Sequence, residues 1–301
     1  MFRSSLLALL AAAVLAAPAA ADPPTATPVQ TVAVGDAQLG YRDINPTAGN
    51  PLVLIAGYGL TMTEWDPVFV ERLARDRRVI TFDNRGMGNS TGPTKGLTIG
   101  RMADDTAGLI RALRLRRPDV LGYSMGGYIA QMLALDHPGR VGRLVLAATD
   151  PGSPKAVEPT QEVIDALDSP EFSGESILPY LFPADRLSAG REWMERIAAQ
   201  PSLTAADFDT PESTMQAQAR ANGWRWYGRG RGAYARLPKL RAKVLIAHGA
   251  EDVVVPPGNA KLLDRRIRRA TMRTYPDAGH GFLFQDPAAK ATAIARWLDR
   301  G

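Results

Sequence analysis

Gly122-Tyr123-Ser124-Met125-Gly126 is the stretch that most restricts what this chain can fold into. A serine sits between two glycines, directly after a short apolar run and directly before an apolar pattern of helical period. Where a strand turns sharply into a helix, the residue at the turn is forced into a strained backbone conformation. Side chains at the two glycine positions would collide in the crowded turn. Such a turn exposes the hydroxyl but does not activate it. A serine hydroxyl is a poor nucleophile, so a base and an orienting acid must come from elsewhere. Gly and Ser are common residues, and the meaning of the stretch depends on those partners.

Short apolar runs alternate with amphipathic stretches, the pattern of strand-helix units around a parallel sheet. Residues 52–56, 79–82, 120–121, 144–148 and 244–247 read as strands that are hydrophobic on both faces. Ile99, Met102, Thr106, Leu109, Ile110 and Leu113 fall on one face of a helix expected to end near Arg117-Pro118. Met125, Ile129, Met132 and Leu133 do the same after Ser124, with His137-Pro138 closing that helix. Asp286 and Pro287 mark the start of the last one. The alternation breaks over residues 151–235, which lack buried-strand runs and carry Trp193, Trp224 and Trp226. An insertion at the carboxyl edge of a parallel sheet lies where such sheets bind ligands, and this one is read as a helical cap. The expected division is a leader over 1–21, a core over 22–150 and 236–301, and the cap between the two core parts.

The leader follows from the first residues. Arg3 is followed by an apolar run over residues 6–17 and by Ala19-Ala20-Ala21, the charged, apolar and small-residue order of a secretory signal. The apolar run is too short for a permanent membrane anchor. Cleavage after Ala21 is expected, leaving a periplasmic or secreted chain of 280 residues (22–301), long enough to build its own core. The chain has no cysteine, so disulfides and lipid attachment at a Cys are excluded. The formal charge of +5 becomes +4 without Arg3. Residues 224–231 interleave aromatics with arginines, as nucleic-acid binders do. One short segment without a recognition fold around it reads instead as helix and loop over a pocket.

Three histidines are present, at 137, 248 and 280. His137, in Asp136-His137-Pro138, reads as a surface residue at a helix end. His248 closes a strand just before Gly249 and reads as a packed strand-end residue. His280 lies in the glycine-flanked stretch Ala278-Gly279-His280-Gly281-Phe282, which can carry an imidazole over the sheet, and it is the expected base. The acid should lie between Ser124 and His280 and end a strand. Asp252, in Gly249-Ala250-Glu251-Asp252, fits that position best. Glu251 is the adjacent rival, and Asp150, after the 144–148 run, is a second one that reads better as a loop cap before Pro151. Two backbone N–H groups should face the developing oxyanion: Met125, next to the serine, and Tyr58, in the turn Gly57-Tyr58-Gly59.

In this order the chain resembles the α/β-hydrolase superfamily, in its serine esterase, lipase and perhydrolase branch, from about Gln38 to the end. The resemblance rests on Gly57-Tyr58-Gly59, the Asp83-Asn84-Arg85-Gly86-Met87-Gly88-Asn89-Ser90 loop, the Gly122 to Gly126 elbow, Gly249 to Asp252, and Gly279-His280-Gly281. The Asp83 loop resembles the family's structural loop after its fourth strand. The sequence departs from the family at Ala56, where His usually precedes the oxyanion glycine. The Tyr58 N–H can still serve, without that histidine's orienting hydrogen bonds.

The resemblance implies a mostly parallel sheet with flanking helices. It also implies Ser-His-Asp chemistry through an acyl-enzyme on a small-molecule ester, with no metal and no organic cofactor. A serine at the elbow argues against dehalogenase and epoxide hydrolase chemistry, which relies on a carboxylate nucleophile in this fold. A carboxylesterase is the first expectation. A C–C bond hydrolase, lactonase, perhydrolase or acyltransferase uses the same residues, and a slow ligand-binding relative is the reading from another class. Tyr58, Trp65, Tyr123 and Phe282 near the site, with Tyr180, Phe182, Trp224 and Trp226 in the cap, suit a small or medium apolar acyl group. They suit ordinary packing equally well.

Overall fold

The computed structural model describes residues 26–167, 174–227 and 232–300. The leader expected over 1–21, and part of the aromatic-arginine cluster at 224–231, lie outside the described residues. Eight strands form one sheet: β1 (Gln30–Val34), β2 (Ala37–Ile44), β3 (Leu52–Ile55), β4 (Val79–Phe82), β5 (Asp119–Tyr123), β6 (Leu144–Ala147), β7 (Val244–Gly249) and β8 (Ala270–Tyr275). Their spatial order is β1-β2-β4-β3-β5-β6-β7-β8. The first two strands pair antiparallel, β2 also runs antiparallel to β4, and the remaining pairs are parallel. β3 through β7 carry the apolar runs of the sequence, and all are buried on both faces apart from the first residue of β5.

Helices cover both faces. Those of the frame are α1 (Pro67–Ala74), α2 (Ile99–Ala112) and α3 (Met125–Asp136), then α9 (Gly258–Arg266), α10 (Phe282–Gln285) and α11 (Pro287–Asp299). Between β6 and β7 run α4 (Gln161–Leu167), α5 (Leu178–Leu181), α6 (Leu187–Ala198), α7 (Glu212–Asn222) and α8 (Trp224–Tyr227). Successive strand residues face opposite sides. Val53 and Ile55 pack with Leu109, Ile110, Ile129 and Leu133 of α2 and α3. Leu52 and Leu54 pack with Phe69 and Leu73 of α1 and Ile294 and Leu298 of α11. Each such fully buried side chain contributes about 1.5–3 kcal/mol.

Helix starts follow the local chemistry. Asp66 accepts from Val68 N and Phe69 N at α1, Thr98 from Arg101 N at α2, and Asp286 from Ala289 N at α11. Helix α2 stops at Ala112, short of the expected Arg117-Pro118. Leu113 caps it, and the chain then turns left-handed at Arg114 (φ 54°) and Arg117 (φ 48°) to bring in β5.

The loop between β3 and α1 rests on buried carboxylates. Glu64 Oε2 accepts from Thr61 N at 2.7 Å, and Asp83 Oδ1 accepts from Met62 N at 2.6 Å. Asp66 pairs with Arg196 of α6 at 2.8 Å, and Arg42 of β2 pairs with Asp207, from the stretch between α6 and α7, at 2.9 Å. The Asp66–Arg196 pair joins the loop after β3, and the Arg42–Asp207 pair joins β2, to the segment inserted between β6 and β7.

Burial raises the Glu64 carboxyl from its usual 4.5 to about 7 and that of Asp83 from 3.8 to about 6. The folded chain therefore holds these protons more tightly than the unfolded chain does. Their contribution to stability is full below about pH 4 and is lost as the pH rises through 6 to 7. Glu64→Gln keeps a neutral acceptor and removes the Glu64 part of that dependence. Urea unfolding at pH 5 and pH 8 should give a gap between the two stabilities that is smaller in the variant, by up to about 3 kcal/mol. An unchanged gap contradicts this assignment.

Candidate active site

Ser124 occupies the turn from β5 into α3 with φ 54° and ψ −121°, a conformation rarely adopted by a residue with a side chain. The two glycines are required by contact. A Cβ on Gly122 would lie 2.2 Å from the Gly126 carbonyl oxygen, and one on Gly126 would lie 2.1 Å from that of Ile55 in β3. The strained peptide is pinned to its neighbours. Ser124 N donates to Ala147 O at 2.9 Å, and Ser124 O accepts from Thr149 Oγ1 and from Gly127 N, each at 2.8 Å.

Ser124 Oγ lies 3.0 Å from His280 Nε2, and His280 Nδ1 lies 2.9 Å from Asp252 Oδ2. A carboxylate beside Nδ1 assigns the ring proton to that nitrogen. Nε2 is then left as the acceptor for the serine hydroxyl. The glycines around His280 serve passage. A Cβ on Gly279 would meet Leu181 O at 2.6 Å, one on Gly281 would meet the Phe182 ring at 2.7 Å, and Gly281 N donates to Leu181 O at 2.7 Å. The end of α5 thus clamps the His280 loop from above.

Asp252 is fully enclosed and satisfied on both oxygens. Oδ1 accepts from Val254 N at 3.0 Å and Val255 N at 2.7 Å. Oδ2 takes His280 and, at 3.2 Å, His248 Nε2. Burial alone would push this carboxyl up. The neighbouring imidazoles and the hydrogen bonds they donate outweigh it and hold the group well below the usual carboxylate range. His248 Nε2 also lies 2.8 Å from Val255 O, which can only accept, so Nε2 carries the proton. Nδ1 of His248 is buried with no partner among the described residues. The packed strand-end reading of His248 holds, but sequence reasoning missed its hold on Asp252. The signal available was the His248-Gly249-x-x-Asp252 spacing.

The rivals lie elsewhere. Glu251 is exposed. Asp150 is buried and accepts from Tyr128 Oη at 2.5 Å, Tyr227 Oη at 2.8 Å, Trp226 Nε1 at 3.1 Å and Gly152 N at 2.7 Å. The Gly152 bond is the loop cap expected of it. The other three bonds fasten α8 to α3. His137 pairs with Asp104 at 2.8 Å on the surface.

Met125 follows the serine in the chain, and Gly57, next to Tyr58, lies against it. Met125 opens α3, where unpaired N–H groups and the helix dipole favour negative charge. A Cβ on Gly57 would sit 3.2 Å from Ser124 Cβ, which places the Gly57-Tyr58-Gly59 turn against the serine. Gly59 N donates to Gln218 Oε1 of α7 at 3.1 Å. Ala56, where the family carries His, is buried.

Most of the aromatics named from sequence are packing. Trp65, Tyr123 and Phe284 meet edge to face, Trp193 stacks on Phe284 at 4.7 Å, and Phe282 is fully enclosed. Tyr123 Oη donates to His280 O at 3.2 Å and steadies the loop.

A sheet of this order, with a strained serine elbow at the end of a central strand, is the frame of the α/β-hydrolase fold, and the sequence matches that family over residues 50–287. The chain belongs to the α/β-hydrolase family and is an enzyme. Among its relatives, 2-hydroxymuconate semialdehyde hydrolase of Pseudomonas sp. (strain CF600) is 30% identical over 256 residues, covering 83% of this chain and 87% of that protein. An α/β-hydrolase fold protein from Chitinophaga pinensis shares the fold with a TM-score of 0.79 at 23% identity, covering 93% of this chain and 100% of its own. A thermophilic esterase from Thermogutta terrifontis gives a TM-score of 0.70 at 27% identity, covering 90% and 98%.

Proposed function

We propose that the protein is an exported serine hydrolase that cleaves a carboxylic ester with a small or medium apolar acyl group. The observation that carries this reading is the continuous relay from Ser124 Oγ to His280 Nε2 (3.0 Å) and from His280 Nδ1 to Asp252 Oδ2 (2.9 Å) at a strained elbow. Ser124 Oγ attacks the ester carbonyl as its proton passes to His280 Nε2. The oxyanion is bound by the N–H groups of Met125 and Tyr58. Collapse breaks the bond to the alkoxy oxygen, which leaves with the proton from His280. Water then gives a proton to His280 and attacks the acyl carbon. The resulting intermediate releases the acid and returns the proton to Ser124. Asp252 holds the imidazole tautomer and stabilises the imidazolium, while His248 fixes the carboxylate as a positioning residue. The segment between β6 and β7 acts as the cap.

The esterase from Thermogutta terrifontis supports the ester reading. The relative named for 2-hydroxymuconate semialdehyde supports a second one, C–C bond hydrolysis with the same residues. Export rests on the charged, apolar and small-residue order of residues 1–21, and a mature chain that still begins at Met1 contradicts it.

A chain-length panel of nitrophenyl esters tests the activity. Short or medium esters should be hydrolysed, Ser124→Ala should lose about 10⁴-fold or more in kcat, and Asp252→Asn about 10³-fold to 10⁴-fold. His248→Leu should lose about tenfold in kcat with KM unchanged, and His248→Gln, which keeps a donor near the Nε2 position, should recover most of it. No turnover of any ester, or activity that survives Ser124→Ala, overturns the esterase reading. A loss on Asp150→Asn in place of Asp252→Asn overturns the assignment of the acid.

A further inference from the structure

A cavity of about 560 Å³ opens at the edge of the sheet opposite Ser124. Its walls come from the residues that lead into the strands. Arg77 precedes β4, Arg117 precedes β5, Arg143 precedes β6, Arg241 and Lys243 precede β7, and Arg269 precedes β8. The elbow lies at the other end of β5, so the cavity is separate from the site described above. Six cationic side chains line it against two carboxylates, Asp119 and Asp299.

Both carboxylates are already engaged with one residue. Arg77, whose side chain is 3% exposed, donates to Asp119 at 2.9 Å and Asp299 at 2.6 Å. Asp119 also accepts from Arg143 N at 2.7 Å. Three of the other guanidinium groups, those of Arg117, Arg143 and Arg269, are held by backbone carbonyls, which orient a cation without cancelling its charge. Arg117 donates to Val141 O at 3.3 Å, Arg269 to Arg241 O at 3.2 Å, and Arg143 to Trp297 O at 3.3 Å and to Leu298 O. Arg77 Nε is buried there with no partner among the described residues. The surplus of four positive charges around this cavity nearly equals the +5 of the whole chain. A concave surface lined by one sign of charge focuses its field and concentrates counter-ions. Planar guanidinium groups fixed at several angles match phosphate oxygens. The volume lies within the range of small-molecule sites.

We propose that this cavity binds a small soluble polyanion carrying two or more phosphate groups, held by Arg117, Arg143, Arg241 and Arg269 above the buried Arg77. A concave site of this size favours such a molecule over a flat anionic membrane surface. The proposal stands independently of the ester chemistry at Ser124.

Thermal unfolding with inorganic tripolyphosphate, orthophosphate and sodium chloride at matched ionic strength tests it on the full chain. Saturating tripolyphosphate should raise Tm by about 3 °C or more, at concentrations at least tenfold lower than orthophosphate needs. Arg241→Gln/Arg269→Gln, two exposed positions away from the ester site, should abolish the shift while leaving the unliganded Tm and Ser124 chemistry unchanged. Equal responses to all three salts overturn the proposal, as does a tripolyphosphate shift that survives the double variant. Where the double variant unfolds at a lower Tm without ligand, Arg117→Gln gives the same reading from a separate position. Co-sedimentation with phosphatidylglycerol vesicles that depends on these arginines, without a tripolyphosphate shift, assigns the surface to lipid and also overturns it.

Discussion

The close approach of the Gly126 backbone to β3 is the constraint on which the rest of this site depends. With no side chain at Gly122 or Gly126, the first turn of α3 lies directly on the Ile55 carbonyl, and Ser124 is left at a positive φ with its hydroxyl raised above the sheet. Nothing within the elbow itself favours that geometry. It persists because Ala147, Thr149 and Gly127 hold the Ser124 peptide from β6 and α3. Local strain at one residue is thus offset by hydrogen bonds to a sheet that hydrophobic burial stabilises.

The second constraint is the enclosed carboxylate of Asp252. Burying a charge costs several kcal/mol unless it is paired and hydrogen-bonded. Here two backbone N–H groups and two imidazoles meet that demand, and the loop geometry around Asp252 follows from it. His280 faces the serine, while His248 is committed to the opposite side by Val255. Two histidines on one carboxylate therefore take different parts. Only His280 places its second nitrogen against Ser124 Oγ. Asp150 shows the same principle in another setting. Its four donors come from α3, α8 and its own loop, so its charge fastens the inserted helices to the core.

The parallel strands were legible because strands buried on both faces are rich in apolar residues, as in Leu52–Ile55 and over residues 244–247 of β7. Ser124, Asp252 and His280 were picked out because each follows a strand and the first and last are flanked by glycines, and the structure brings their three side chains together. The β1-β2 hairpin was not read from sequence. β1 is solvent-facing over most of its length, and Gln30, Thr31 and Ala33 give it no apolar run. The end of α2 was misplaced because its apolar period continues into Leu113, where the backbone already turns toward Arg114. Asp150 needed the fold itself. Its partners Tyr128, Trp226 and Tyr227 are set by packing that no spacing rule encodes.

Labelling with a fluorophosphonate, mapped by peptide mass spectrometry, addresses activation of the serine whatever the natural substrate is. An activated Ser124 predicts one adduct per chain, on the peptide that contains Ser124, and a large drop in labelling rate for His280→Ala. An unlabelled protein, or an adduct on a different residue, contradicts the account.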